Sequence, residues 1–229
     1  MIMPLKLLAP SLCIAAMLAV GGTLAADDTP LAVNITPTLS GVTIEHDGTE
    51  VRVQRDQDTS NTITPDFQRT SRRCPPFCVQ PMRVARGVET IGEIEMLGYL
   101  QRVADGDPTV LLIDSRGPDW VKRGTIPGAI NIHYKKLSLR SAKEEDMADL
   151  LEDVFGAQRT AEFWNFSRAK TLVMFCNGAW CGQSPTNIRS LLRIGYPPAK
   201  IKWYRGGMQD WEIMGLTTVQ PVPVGAGDE

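Results

Sequence analysis

The chain has few groups that could hold a metal or a cofactor. Its 229 residues include only two histidines. His46 falls in a predicted hairpin and His133 where a strand meets a loop, and both read as surface or packed side chains. No metal is expected. The C-x-x-C-H pattern of covalent haem attachment does not occur, and no cofactor is expected. Charge of one sign is also lacking: 24 Lys and Arg stand against 26 Asp and Glu, for a formal net charge of -2. That balance argues against nucleic acid as a partner and against binding to a membrane surface. The one basic cluster, "RTSRR" at 69–73, reads as a solvated loop. There is no internal repeat and no low-complexity tract. The apolar run near the N-terminus, Leu12 to Val20, falls well short of the ~18 residues a membrane span needs. Between Cys176 and Arg189 there is no Lys or Arg at all.

That short N-terminal run is informative. Lys6 precedes it, "TLAA" follows it, and Asp27 and Asp28 end the apolar character. This is the pattern of a secretory signal peptide over 1–26, cut after Ala25 or Ala26 and carrying Cys13 away with it. The expected location is periplasmic or secreted, with no stable membrane insertion after cleavage. Four cysteines then remain, in two close pairs: Cys74 with Cys78 and Cys176 with Cys181. In an oxidising compartment such pairs mean disulfides or thiol chemistry.

Two regions follow the signal. Residues 27–87 are rich in Thr, Asp, Pro and β-branched side chains. "GVTIEHDGTEVRVQ" places Asp47-Gly48 between two alternating runs, which predicts a hairpin. Prolines at 65, 75, 76 and 81 exclude long regular elements after it. This extension has little core of its own. Residues 88–220 alternate helix and strand, and 221–229 form a tail. "IGEIEMLGYLQRV" carries Ile91, Ile94, Leu97, Leu100 and Val103 at helical spacing. "EEDMADLLEDVF" places Met147, Leu150, Leu151 and Val154 on one stripe. "TVLLID", "GAINI", "TLVMFC" and "IKWY" read as short strands, the longer ones buried on both faces. "SPTNIRSLLRIGY" predicts a helix with Ser184 as N-cap, Pro185 at its first position and Gly195 past its end, and "GMQDWEIMG" a last short helix. The alternation predicts an α/β domain with a parallel sheet covered on both faces.

Cys176 ends one of these buried strands, where α/β proteins bind ligands. The backbone N–H groups of the following turn and helix start point toward such a position, so a thiolate there gains stability without a charged side chain. The loop residues Asn177, Gly178, Ala179, Trp180, Gly182, Gln183 and Ser184 form the candidate substrate-binding loop, with Cys181 a second candidate catalytic residue. Stapling of a loop by a Cys176–Cys181 disulfide is the alternative.

Three stretches, in order, resemble the rhodanese family: "LLIDSRGPDWVKRGTIPGAINI", "LVMFCNGAWCGQSPTNIRSLLRIGY" and "WYRGGMQDWEIMGL". The resemblance spans about residues 88–220. It implies a three-layer α/β fold around a central, mostly parallel sheet, here preceded by a small β/coil extension. It also implies that Cys176 carries sulfur as a persulfide between a small sulfur donor and an acceptor such as a protein thiol. Asp114, Arg116 and Arg205 are then structural neighbours of the site, and Trp211 a framework residue. The chain departs from the pattern where the loop ends: common rhodanese loops place an Arg five residues after the cysteine, and Cys181 stands there instead. That change implies weakened use of free thiosulfate, no phosphatase activity, and a resolving role for Cys181. Two other readings stay open: a thiol–disulfide oxidoreductase using the Cys176/Cys181 pair, and a non-catalytic binding module of the same fold. For Cys74 and Cys78 three arrangements stay open: a local disulfide, exchange with Cys176 and Cys181 with Phe77 covering the site, or a four-cysteine metal site.

Overall fold

The computed structural model describes residues 33–220 except Glu162. The signal-peptide reading, Cys13 and the tail lie outside the described residues. Among the described residues no helix is long and apolar enough to cross a membrane.

A hairpin comes first, β1 (Gly41–His46) paired antiparallel with β2 (Thr49–Gln54). Asp47 and Gly48 both take positive φ, +49° and +74°, as a two-residue turn between right-twisted strands requires. A short helix α1 (Pro65–Gln68) and an extended stretch lead to β3 (Glu89–Ile91). The remaining elements are α2 (Glu93–Ala104), β4 (Val110–Asp114), α3 (Pro118–Val121), β5 (Ile130–Asn131), α4 (Glu144–Asp149), β6 (Gln158–Arg159), β7 (Trp164–Asn165), β8 (Thr171–Phe175), α5 (Gln183–Arg193), β9 (Ile201–Tyr204) and α6 (Gly207–Ile213). Strands β3, β9, β8, β4 and β5, in that spatial order, make one parallel sheet.

Successive residues of a strand face opposite sides of its sheet. Val110 and Leu112, Val173 and Phe175, and Tyr204 point to one face, where they meet Met96, Leu97 and Leu100 of α2 and Met208 and Trp211 of α6. Ile113, Leu172 and Met174, and Ile201 and Trp203 point to the other, against Met147, Leu151, Ile188 and Leu191. Both faces being covered is why these strands read as unbroken apolar runs. Val42, Ile44, Val53 and Phe67, from the extension, join the α2 side of the core. The bond from Thr217 N–H to the Gln54 carbonyl (3.0 Å) ties β2 to the chain after α6.

Three expectations change. Ile91 belongs to β3 and Ile94 is 52% exposed in the first turn of α2, so the buried stripe is Met96, Leu97 and Leu100. The helix over 144–154 is α-helical only to Asp149 and then widens into a π turn, Leu150–Val154, which leaves Leu150 and Val154 half-buried. And α5 begins at Gln183 after Gly182, so Ser184 is inside the first turn and makes no cap.

Candidate active site

Parallel register brings the strand ends to one edge. Phe175 pairs with Asp114 on one side and with Tyr204 on the other, so Cys176, Ser115 and Arg205 emerge together at the carboxyl end of the sheet. From there the chain turns through 177–182 into α5. The loop is held on several sides. Met208 N–H donates to the Cys176 carbonyl and Gln209 N–H to the Asn177 carbonyl, both at 3.0 Å. Cys181 N–H donates to the Gly178 carbonyl (2.9 Å), and the Trp180 indole N–H donates to Gln209 Oε1 (2.7 Å).

Gly207 explains part of the paired glycines. It has φ +57°, and a Cβ at this position would collide with the Cys176 carbonyl oxygen. Gly207→Ala is expected to cost at least about 2 kcal/mol in urea unfolding. A stability within about 0.5 kcal/mol of the natural protein would contradict the contact.

Both sulfurs are buried, Cys176 at 2% exposure and Cys181 at 4%, and both are free thiols. The Cys176 sulfur sits where hydrogen-bond donors converge. Ser184 Oγ–H donates to it at 3.1 Å, and the Trp203 indole N–H donates to Ser184 Oγ at 3.2 Å. With its oxygen bonded by Trp203, the Ser184 hydroxyl has its proton directed at the sulfur. Burial alone pushes the Cys176 thiol up. Hydrogen bonds from the Cys181 thiol, the Ser184 hydroxyl and the backbone N–H groups of Ser184 and Gly178 outweigh it and bring it down to about 7. Burial, together with its bond to Cys176, pushes Cys181 the other way, well above an ordinary thiol. Of the two thiols, Cys176 is therefore the one that ionises first, near neutral pH.

This assigns Ser184 a positioning role, not the capping role expected of it. In Ser184→Ala the lost donor shifts the Cys176 midpoint upward from about 7, read by ultraviolet thiolate absorbance against pH. An unchanged midpoint would remove Ser184 from the account.

Asp114 and Arg116 touch each other and not the sulfurs. Arg116 Nε and Nη2 donate to the two Asp114 carboxylate oxygens at 2.9 and 2.6 Å. Arg116 Nη2 also donates to the Gly124 carbonyl (2.6 Å), and Thr125 Oγ1–H to Asp114 Oδ2 (2.8 Å). Arg205 donates from Nη2 to the Gln80 carbonyl (2.9 Å), so it fastens the extension to the sheet edge. Trp211 is buried, its indole N–H donating to the Thr217 carbonyl. His46 Nδ1 accepts from Gly128 N–H, and the His133 ring lies against Tyr134 at a tilt of 57°.

The extension reaches the loop at a place that local sequence could not reveal. Cys74 and Cys78 are joined in a disulfide, which removes them from a four-thiol metal site. Among the described residues no cluster suited to a metal occurs. Gln80 N–H donates to the Ala179 carbonyl at 2.8 Å, and Phe77 meets the Trp180 ring edge-on at 5.7 Å between centroids. Arg72 is half-buried with its guanidinium carbon 4.0 Å above the Trp180 ring, which corrects the reading of "RTSRR" as a wholly solvated loop. A cavity of about 350 Å³ opens between these parts, walled by Pro76, Phe77, Trp120, Tyr134 and Trp180, with Cys181 and not Cys176 in its lining. A larger cavity, about 540 Å³ beside Gln54–Gln57 and Leu216–Thr218, contains no cysteine.

A parallel α/β sheet with a cysteine at a strand end, cradled by the N–H groups of the next loop and helix, defines a class of domains built to hold an anionic group at that edge. Within that class the chain belongs to the rhodanese-like family: the rhodanese-like domain matches residues 98–214, just over half of it. The "HTH-type transcriptional regulator Rv0324" of Mycobacterium tuberculosis is 30% identical over 119 residues, covering 52% of this chain and 42% of the regulator. The chain thus spans less than half the length of that relative. Among solved structures, a thiosulfate sulfurtransferase from Pseudomonas aeruginosa is 20% identical with a TM-score of 0.38, covering 59% of this chain and 21% of that one. A human single-domain sulfurtransferase is 22% identical with a TM-score of 0.37, covering 55% and 96%.

Proposed function

We propose that the protein is a sulfurtransferase of the persulfide-carrier kind, with Cys176 as the sulfur-accepting nucleophile and Cys181 as the resolving cysteine. The observation that carries this is the set of donors converging on one buried sulfur that has no cationic side chain beside it. The Cys176 thiolate attacks the sulfane sulfur of a small donor. The donor's remaining part leaves with the electron pair of the broken bond, and the sulfur stays as a persulfide. The persulfide's outer sulfur can then pass to an external thiol. Alternatively, Cys181 gives up its proton and attacks the Cys176 sulfur, hydrosulfide leaves, and a Cys176–Cys181 disulfide forms. In that second course the sulfane sulfur is reduced and the two cysteines are oxidised.

The burial of both free thiols in one loop and the opposite displacement of their acidities also favour a second reading, thiol–disulfide exchange by the pair alone. One experiment separates the two. Reduced protein is loaded with polysulfide, freed of donor, and assayed for hydrosulfide. One hydrosulfide per chain with a Cys176–Cys181 disulfide supports the proposal. Formation of the disulfide with no sulfur ever bound supports the second reading.

We further propose that the mature protein works outside the cytoplasm, as the N-terminal apolar run and the Cys74–Cys78 disulfide favour. N-terminal sequencing of the periplasmic or secreted fraction is expected to start at residue 26 or 27. Recovery only of the uncut chain in the cytoplasm would refute it.

A further inference from the structure

We propose that the aromatic cavity walled by the CPPFC segment is a binding site for an apolar, uncharged thiol, and that it presents this thiol to the sulfur of Cys181 and not to that of Cys176. The inference rests on the persulfide reading above, because it concerns how the Cys176–Cys181 disulfide is reopened.

Three observations carry it. The first is which sulfur the cavity touches. Cys181 is in its wall and Cys176 is not. A thiolate must approach along the axis of the disulfide it breaks, so the sulfur lining the cavity is the one attacked. The second is the lining. Phe77, Trp120, Tyr134 and Trp180 supply aromatic surface, and no charged side chain lines the space. Thiosulfate or an acidic thiol meets no cation in the lining itself, since the Arg72 guanidinium is spent on the Trp180 ring, whereas an apolar body gains by leaving water. The third is an unsatisfied acceptor. Asn177 also lines the cavity and is 3% exposed, and its Oδ1 has no hydrogen-bond partner among the described residues. An oxygen left without a donor in a buried site favours a ligand that brings one. A thiol S–H brings one, as does a peptide N–H beside a cysteine. An oxyanion brings only further acceptors.

The chemistry closes without another reagent. The bound thiol gives its proton to water, and the thiolate so formed attacks Cys181 Sγ, making a mixed disulfide with Cys181. The electron pair of the broken bond goes to Cys176, which leaves as a thiolate, and the more acidic thiol of a pair is the better leaving group. A second molecule of the same thiol attacks the first one's sulfur and frees Cys181, which is reprotonated. One sulfane sulfur and two thiols become hydrosulfide and an external disulfide, with the protein back in its starting state. Phe77 is the specificity residue. It is 39% exposed, so its removal spares the core, and the Cys74–Cys78 disulfide closes the turn that carries it.

The test uses mature protein oxidised with diamide. It is mixed with benzyl mercaptan or with 2-mercaptoethanesulfonate, stopped at intervals with N-ethylmaleimide, and mapped by peptide mass. Each rate is divided by the same thiol's rate with a small free disulfide. The benzyl thiol is expected on Cys181 with maleimide on Cys176. Its normalised rate is expected to exceed that of the sulfonate by about tenfold or more. In Phe77→Ala that ratio falls toward one, and Phe77→Trp restores it. Benzyl thiol on Cys176, equal normalised rates in the natural protein, or failure of the pair to form or open a disulfide would each overturn the inference. Sulfur loading of the reduced protein is measured on the same preparation. Loading without aromatic preference sinks this inference alone, and opening at Cys181 without loading sinks the persulfide reading instead.

Discussion

Cys176→Ser is expected to lower kcat/KM for sulfur transfer from any sulfane donor to cyanide by at least about 10³-fold, as loss of a covalent nucleophile does. The change is close to isosteric. The Ser184 hydroxyl can still donate to an oxygen at this place, and the backbone N–H groups of Gly178 and Ser184 are untouched. What disappears is the thiolate. A serine hydroxyl stays protonated where Cys176 ionises near pH 7, and oxygen forms no persulfide. The melting temperature should therefore stay within a few degrees while turnover disappears. Activity within tenfold of the natural protein would mean that sulfur is carried elsewhere, with Cys181 the first alternative.

The second large effect is on stability. Asp114→Ala leaves the Arg116 guanidinium, at 1% side-chain exposure, with the Gly124 carbonyl as its remaining hydrogen-bond acceptor and without its bonded carboxylate. Breaking a buried pair from one side costs about 3–5 kcal/mol, far more than the pair itself is worth. For a chain of this size that lowers Tm by about 6–20 °C. Replacing both partners with apolar residues, as in Asp114→Ala with Arg116→Met, should recover much of the loss, because no charge is then stranded. Thermal unfolding of the two variants decides it. A single variant that melts within about 2 °C of the natural protein would show that Arg116 finds water or another partner. Asp114 is the last residue of β4 and Arg116 lies two residues on, next to the strand that delivers Cys176, and their bonds to Gly124 and Thr125 fix the chain leading to β5.

Much of the fold was legible because it is written in local patterns. "TVLLID" and "TLVMFC" are unbroken apolar runs because Leu112 and Ile113, or Val173 and Met174, serve opposite sides of a sheet covered twice. Asp47-Gly48 announced its turn through the backbone conformations those residues tolerate. Errors arose where a local rule met a tertiary demand. Ser184 has the composition of an N-cap, yet α5 starts one residue before it, and its hydroxyl serves the sulfur through a bond to Trp203 that no local spacing encodes. Ile94 fits a helical stripe but falls in the exposed first turn. At the site, Cys176, its strand and its loop could be read directly. The wall facing them could not, since Gln80 and Ala179 meet across nearly a hundred residues and Arg72 finds Trp180 across more than a hundred. A basic, proline-rich stretch carries no periodicity from which such a contact could be inferred.

The most direct test of the central claim is the mass of the Cys181→Ser variant after exposure to polysulfide, with the modified peptide sequenced. Without a resolving thiol, a sulfur placed on Cys176 has no internal way off. The account predicts a chain heavier by one sulfur atom, the addition lying on the peptide that contains Cys176 and lost on treatment with cyanide. An unmodified chain, or sulfur found only on the Cys74–Cys78 peptide, would contradict it.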